Sequence, residues 1–420
     1  MTGFLATARS RLLSGQVLVG RAVVLSFGRG VASVLSAVWV ILIARNLTLE
    51  QFGEVSVALA LVLILTAVGD LGMQVILVRD VVDTGRIRRS VLDGAIVRKL
   101  ILAAVSCVVL VALYVIATHD TNLAVPFLFS LSIVGAALYN PTISAYRATG
   151  NIRLEMISEI GSRAVVLAGG GLWLLAGGGI VAVAVSYSAV GVALGIIVFV
   201  LVRARTSNRP DDVLPSFALS AAAPYALANT VGAVYQRIDN YLIALLRGAT
   251  AAGVYGASYR FQDMIILLPT ALGQLALSEA AGQDPRSRMS TAKRVAAQSF
   301  LLVLLPVIVI AVFAQPLLEF LFGSRYGVAA PIVVVLMLST LPGATAIALQ
   351  GLTAVTDARR FAVATAGGLA INVIANLILI PPFSGLGAAW ANVISQTFLA
   401  AAYYWALRRK TSEMMVSAST

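Results

Sequence analysis

Apolar residues run in stretches of about 20 or more, enough to cross ~30 Å of hydrocarbon, and short polar breaks separate them. The pattern predicts twelve helices, over 17–44, 54–78, 94–117, 123–146, 156–176, 180–202, 217–246, 252–277, 295–314, 328–354, 361–381 and 385–407. Leu, Ala and Val dominate these runs, which are far longer than strands. In lipid every backbone group needs an internal partner, so the fold class is all-α: a polytopic helical membrane protein. The first run is too long for a signal-peptide core and carries Arg21 and Arg29, so it reads as a retained helix.

The longest polar break between the middle helices, 203–215, divides the chain into two six-helix lobes, 1–205 and 206–420. A shift of 200 residues matches Val31 with Val231, Val34 with Val234, Ile43 with Ile243, Gly53 with Gly253, Gln74 with Gln274 and Leu77 with Leu277. An even number of helices per half gives both halves the same orientation. Two parallel repeats facing one another suit a transporter with its site between them. Pro224, Pro269, Pro306, Pro331 and Pro342 fall inside predicted spans, where proline bends a helix by removing a backbone donor.

Composition sharpens the class. The chain is 60% hydrophobic and 11% charged, against about 25% charged in soluble domains. Its net charge of +12 does not indicate nucleic acid, because the basic residues are spread over short loops with no basic helix or aromatic platform. Assigning the N-terminus and every second loop to one side collects twenty basic residues there. Only Arg45, Arg247 and Arg325 remain for the other side. The positive-inside rule then places both termini in the cytoplasm. A lone Cys107 excludes an internal disulfide and a cysteine metal cluster. The single histidine, His119, has no convergent catalytic partners, and no P-loop, GxSxG or HExxH motif is present. No enzyme, cofactor or metal site is expected.

Five arginines lie within the apolar stretches: Arg21, Arg29, Arg163, Arg237 and Arg260. A cation in hydrocarbon costs ~2.5–3.5 kcal/mol on insertion scales, so it faces a cavity, a partner or a substrate. Helix 1 carries Ser26, Arg29, Ser33 and Ser36 on one face, with Arg29 ~18 Å beyond Val17, near mid-bilayer. Helix 7 repeats the design with Tyr225, Asn229, Gly232, Gln236 and Asp239, and helix 8 offers Tyr255, Tyr259, Arg260, Gln262 and Asp263. Arg29, Arg237, Arg21, Arg260, Asn229 and Gln236 are therefore candidate substrate contacts in a central cavity. Asp70, Asp239 and Asp263 are candidates for ion coupling or for gating pairs with the arginines. Glu159 stands one turn before Arg163, which predicts a structural ion pair. Asn372 and Asn376, and Asn392 and Gln396, read as packing groups or weak sugar contacts.

Three segments resemble one known family. Ala44-Arg45-Asn46-Leu47 through Gln51-Phe52-Gly53, then Val68-Gly69-Asp70-Leu71-Gly72 and Leu77-Val78-Arg79, is similar to the opening of bacterial polysaccharide-export proteins. Arg237-Ile238-Asp239 followed by Gly253-Val254-Tyr255-Gly256-Ala257-Ser258-Tyr259-Arg260 is similar to a second family segment. Asn372 through Pro381 and Gly385-Leu386-Gly387-Ala388-Ala389-Trp390-Ala391 is similar to a third. The family is the Wzx-type lipid-linked oligosaccharide flippases, in the superfamily that also holds multidrug (MATE) exporters and lipid II flippases. The resemblance implies a monomer of two six-helix lobes around a central cavity, in the bacterial inner membrane. It also implies alternating access that carries a polyprenyl-diphosphate-linked glycan to the outer leaflet, with H+ or Na+ coupling left open. A cation-coupled multidrug exporter and a lipid II flippase are the alternatives. Guanidinium suits phosphate oxygens, whereas a cationic-drug exporter calls for an acidic lumen. Membrane lipids and the glycolipid are the expected partners.

Overall fold

The computed structural model describes residues 28, 30–206, 219–280 and 283–417, and all of its regular elements are helical. In chain order these are α1 (Gly30–Asn46), α2 (Leu49–Val68), α3 (Met73–Thr84), α4 (Arg89–Thr118) and α5 (Ala124–Ala148). They continue with α6 (Arg153–Val165) and α7 (Gly179–Arg203), then α8 (Leu219–Arg247), α9 (Ala249–Ile265) and α10 (Leu267–Ala280). The last are α11 (Pro285–Val312), α12 (Ala314–Phe322), α13 (Ala330–Thr356) and α14 (Ala358–Ser417), the final one broken at Ser384 beyond Pro381 and Pro382. The protein is an all-α, multi-pass membrane protein; below, its described helices up to Arg203 are called the N lobe and those from Leu219 onward the C lobe. Its lipid faces are apolar at helical spacing. Ile101, Val105 and Val108 are exposed along α4, and Leu301, Leu305, Ile308 and Val312 along α11.

Two predicted spans are divided. The run 54–78 is not one helix: α2 ends at Val68 and α3 starts at Met73. The cause is Asp70-Leu71-Gly72, in which Leu71 has φ 45° and Gly72 φ 74°. The second of these is the left-handed turn that glycine enters without a Cβ penalty. The run 252–277 likewise divides at Ile266, just before Pro269 and a few residues ahead of the place that the 200-residue shift assigns to the first break. Helix α12 was not expected. Nine residues are too few to register as a span, yet Leu318 and Phe322 anchor it in the core. Beyond Val165, α6 runs on through π-helical turns Val166–Gly170 and Leu174–Gly178 to a break at Gly177.

The repeat matters where the lobes touch. Helix α2 starts with a Thr48/Gln51 capping box, the two residues satisfying each other's backbone N–H. It then crosses α9 at Gly53 and Gly253, positions related by the 200-residue shift. A Cβ on Gly53 would overlap the Ala249 carbonyl, and one on Gly253 the Leu49 carbonyl. Both obstacles are backbone, so a side chain here must force the helices apart. Gly53→Leu should therefore lengthen the distance between spin labels at Asn46 and Phe320, on opposite lobes. An unchanged distance would show that the crossing absorbs the side chain.

The same end is tied by the three arginines that break the charge asymmetry. Arg325 donates to the carbonyls of Ala44, Arg45 and Leu47, at the C-terminus of α1. Arg45 returns the exchange, donating to Leu321 O at 2.9 Å and to Phe320 O, at the C-terminus of α12. Arg247 donates to Pro381 O at 3.1 Å, where the first part of α14 ends. Each cation thus sits on the carbonyls that a helix C-terminus leaves unpaired, at the negative end of its dipole. Two of the three contacts join one lobe to the other.

Candidate functional site: the cavity between the lobes

A cavity of about 1100 Å³ lies between the lobes, and both contribute to it. Ser36 and Trp39 of α1, Tyr139 and Arg147 of α5, and Glu159 and Arg163 of α6 line one wall; Asn229, Gln236 and Arg237 of α8 and Arg260 of α9 line the other. Arg147, Glu155 and Phe361 place its mouth at the end rich in basic loops. At the opposite end lie the Gly53–Gly253 crossing and the exchanged arginines.

The C-lobe wall is cationic. Arg237 pairs with Asp263 at 3.3 Å and Arg260 pairs with the same carboxylate at 3.2 Å. Two guanidinium groups thus share one acid, and most of their ten N–H donors are uncommitted. The buried Nε of Arg260 has no hydrogen-bond partner among the described residues. The Arg237 guanidinium lies over the Tyr259 ring, 5.2 Å from its centroid, which fixes the fork's orientation. Asn229 and Gln236 are exposed on the same wall. Asn229 and Gln236, two helical turns apart, share one face of α8, and Arg237 lines the cavity beside Gln236.

The carboxylates take different roles. Asp70 does not face an arginine. The turn at Leu71-Gly72 brings it to Lys99 on α4, at 2.6 Å, and both side chains are buried, at 6% and 3% exposure. Gln74 donates to Asp70 at 2.9 Å, and Ser144 to Gln74 at 2.8 Å. The gating pair expected between Asp239 and an arginine is likewise replaced. Asp239 is buried and accepts from Tyr255 at 3.0 Å and from Asn376 at 2.9 Å, both neutral. Asn376 also donates to Asn372, and Asn372 to Ser395 at 3.2 Å, so these amides form a packed network instead of facing the cavity. Asp263 is the carboxylate that pairs with arginines.

The Glu159–Arg163 ion pair expected from their spacing does not form; both residues line the cavity separately. Instead, Glu155 takes Arg147 at 2.9 Å. Arg21 and Arg29 lie outside the described residues. Sequence reasoning missed Lys99, because it stands beside Arg98 near a helix start and looks like a flanking topology charge. Its place six residues into the span 94–117 was the available signal. It also missed Tyr139 and Arg147, which carry no distinctive spacing.

Comparison with known proteins adds to this geometry. The family described as polysaccharide biosynthesis protein matches residues 18–278. A probable low-salt glycan biosynthesis flippase, Agl15, from Haloferax volcanii is 24% identical over 253 residues, covering 59% of this chain and 53% of that protein. The chain thus spans about half the length of this curated relative. Among solved structures, lipid II flippase MurJ in an inward closed conformation superposes with a TM-score of 0.78. It has 11% identity and covers 92% of this chain and 87% of that one. An inward-facing MATE family multidrug resistance transporter gives a TM-score of 0.70 at 14% identity, over 91% and 95% of the two chains. These two structural likenesses are likenesses of fold.

Proposed function

The chain belongs to the polysaccharide biosynthesis protein family, and from that premise we propose that it is a lipid-linked oligosaccharide flippase. It takes a polyprenyl-diphosphate-linked glycan into the cavity from the cytoplasmic leaflet and releases it to the outer leaflet by alternating access, with no covalent step. The carrying observation is the C-lobe wall, where Arg237 and Arg260 share one carboxylate beside the exposed amides of Asn229 and Gln236. Guanidinium forks match phosphate oxygens in pairs, and the amides suit sugar hydroxyls. The names of Agl15 as a glycan flippase and MurJ as a lipid II flippase support the same cargo class. Arg21 and Arg29 of helix 1 join this site on the strength of the sequence pattern.

The orientation follows from the charge asymmetry. The basic end and both termini lie in the cytoplasm of a bacterial cell whose inner membrane holds the protein as a monomer of units 1–205 and 206–420. The cavity in this structure then faces inward. Opening it outward requires Arg45 and Arg325 to leave the carbonyls they cap. If transport is coupled to H+ or Na+, Asp239 is the coupling residue, since its partners are neutral, whereas Asp70 is neutralised by Lys99 and Asp263 by two arginines.

The test of the cargo is capture in living cells. A photo-crosslinking residue in place of Gln236 should trap a polyprenyl-diphosphate glycan. Trapping ordinary phospholipid alone would sink the assignment. Asp239→Asn should abolish any response of transport to a collapsed ion gradient, and an unchanged response would remove Asp239 from coupling.

A further inference from the structure

Among the described residues Arg163 has no hydrogen-bond, ion-pair or ring partner, although Glu159 stands one turn away in pairing register. It is half-buried and lines the cavity from the N lobe. Two other cations of the described N lobe are committed. Arg147 is held by Glu155 at 2.9 Å and Lys99 by Asp70 at 2.6 Å. A guanidinium left without a carboxylate at membrane depth is costly, and the fold could have neutralised it with Glu159 at no change of backbone. Helix α6 also becomes π-helical immediately beyond this turn, from Val166, a local widening that occurs mostly at functional sites. Glu159, Ser162, Arg163 and Val166 all line the cavity, so this face of α6 is its N-lobe wall.

We infer that Arg163 is an N-lobe ligand for the anionic headgroup, gripping one phosphate of a diphosphate while Arg237 and Arg260 grip the other from the C lobe. The inference rests on the flippase reading above and goes beyond it, because it makes the cargo itself a bridge between lobes. A headgroup held from both sides draws the cytoplasmic ends together, which links loading to closure. A monophosphate cannot make both grips at once. Discrimination between diphosphate and monophosphate lipids therefore resides in Arg163, whereas Arg237 serves both. Glu159 lies beside the same phosphate and repels it.

The test uses the full chain in nanodiscs, with undecaprenyl diphosphate and undecaprenyl monophosphate as probes. Wild type should prefer the diphosphate. Arg163→Ala should weaken the diphosphate by roughly tenfold and the monophosphate by less than about twofold, which erases the preference. Arg163→Lys should restore part of it, Glu159→Gln should tighten diphosphate binding, and Arg237→Ala should weaken both lipids. Unchanged binding of both lipids by Arg163→Ala would overturn the inference and leave the flippase reading standing. An equal loss of both, accompanied by lower thermal stability, would make Arg163 structural and overturn it too. A wild type that binds neither lipid would overturn both readings.

Discussion

Arg237→Ala should abolish movement of the glycolipid while leaving expression and membrane insertion normal. Arg237 is the guanidinium that the cavity wall presents most deliberately. Asp263 steers it at 3.3 Å and the Tyr259 ring supports it at 5.2 Å, yet most of its donors remain open. Truncating one side of a desolvated charge contact typically costs about 2–5 kcal/mol, which is roughly thirtyfold or more in rate or affinity. Arg237→Lys should retain a minor part, because it keeps the charge and loses the planar fork. Asp263→Asn should be milder, since it frees both arginines but unfixes them. Near-normal transport by Arg237→Ala in a reconstituted assay would place phosphate binding elsewhere.

The second large effect concerns stability. Lys99→Met should lower the free energy of unfolding by about 3–5 kcal/mol, because it strands the Asp70 carboxylate in the core without its counter-charge. The double variant Asp70→Asn with Lys99→Met removes both charges and should recover most of that loss. The comparison separates a structural pair from a working carboxylate. If the double variant is as stable as the parent but transports nothing, Asp70 serves the cycle; if it transports normally, Asp70 and Lys99 hold the turn between α2 and α3. Thermal unfolding in detergent, followed at one temperature for all variants, reads the first quantity. No rescue of stability in the double variant would contradict the ion-pair account.

The helices were legible because a membrane helix needs only length and apolarity, and both are written locally. So was the repeat: Gly53 and Gly253, matched by register alone, meet at the lobe crossing. The break between α2 and α3 was harder to see. Asp70-Leu71-Gly72 reads as a polar patch on a helix face until the left-handed turn at Gly72 is known, and that turn redirects Asp70 to Lys99. The three stray arginines were legible as exceptions but not as caps, since their acceptors are 130 or more residues away in sequence. Side-chain partners across lobes depend on packing angles, which no local pattern encodes. The same is true of Asp239, whose partners Tyr255 and Asn376 come from α9 and α14.

The most direct measurement is exposure of a polyprenyl-diphosphate-linked glycan to a probe added outside sealed vesicles, with and without the purified protein. Exposure should be accelerated by the wild type, lost with Arg237→Ala, and accompanied by no extrusion of cationic dyes from the same vesicles. Dye extrusion without glycolipid movement would contradict the account and make the protein a drug exporter.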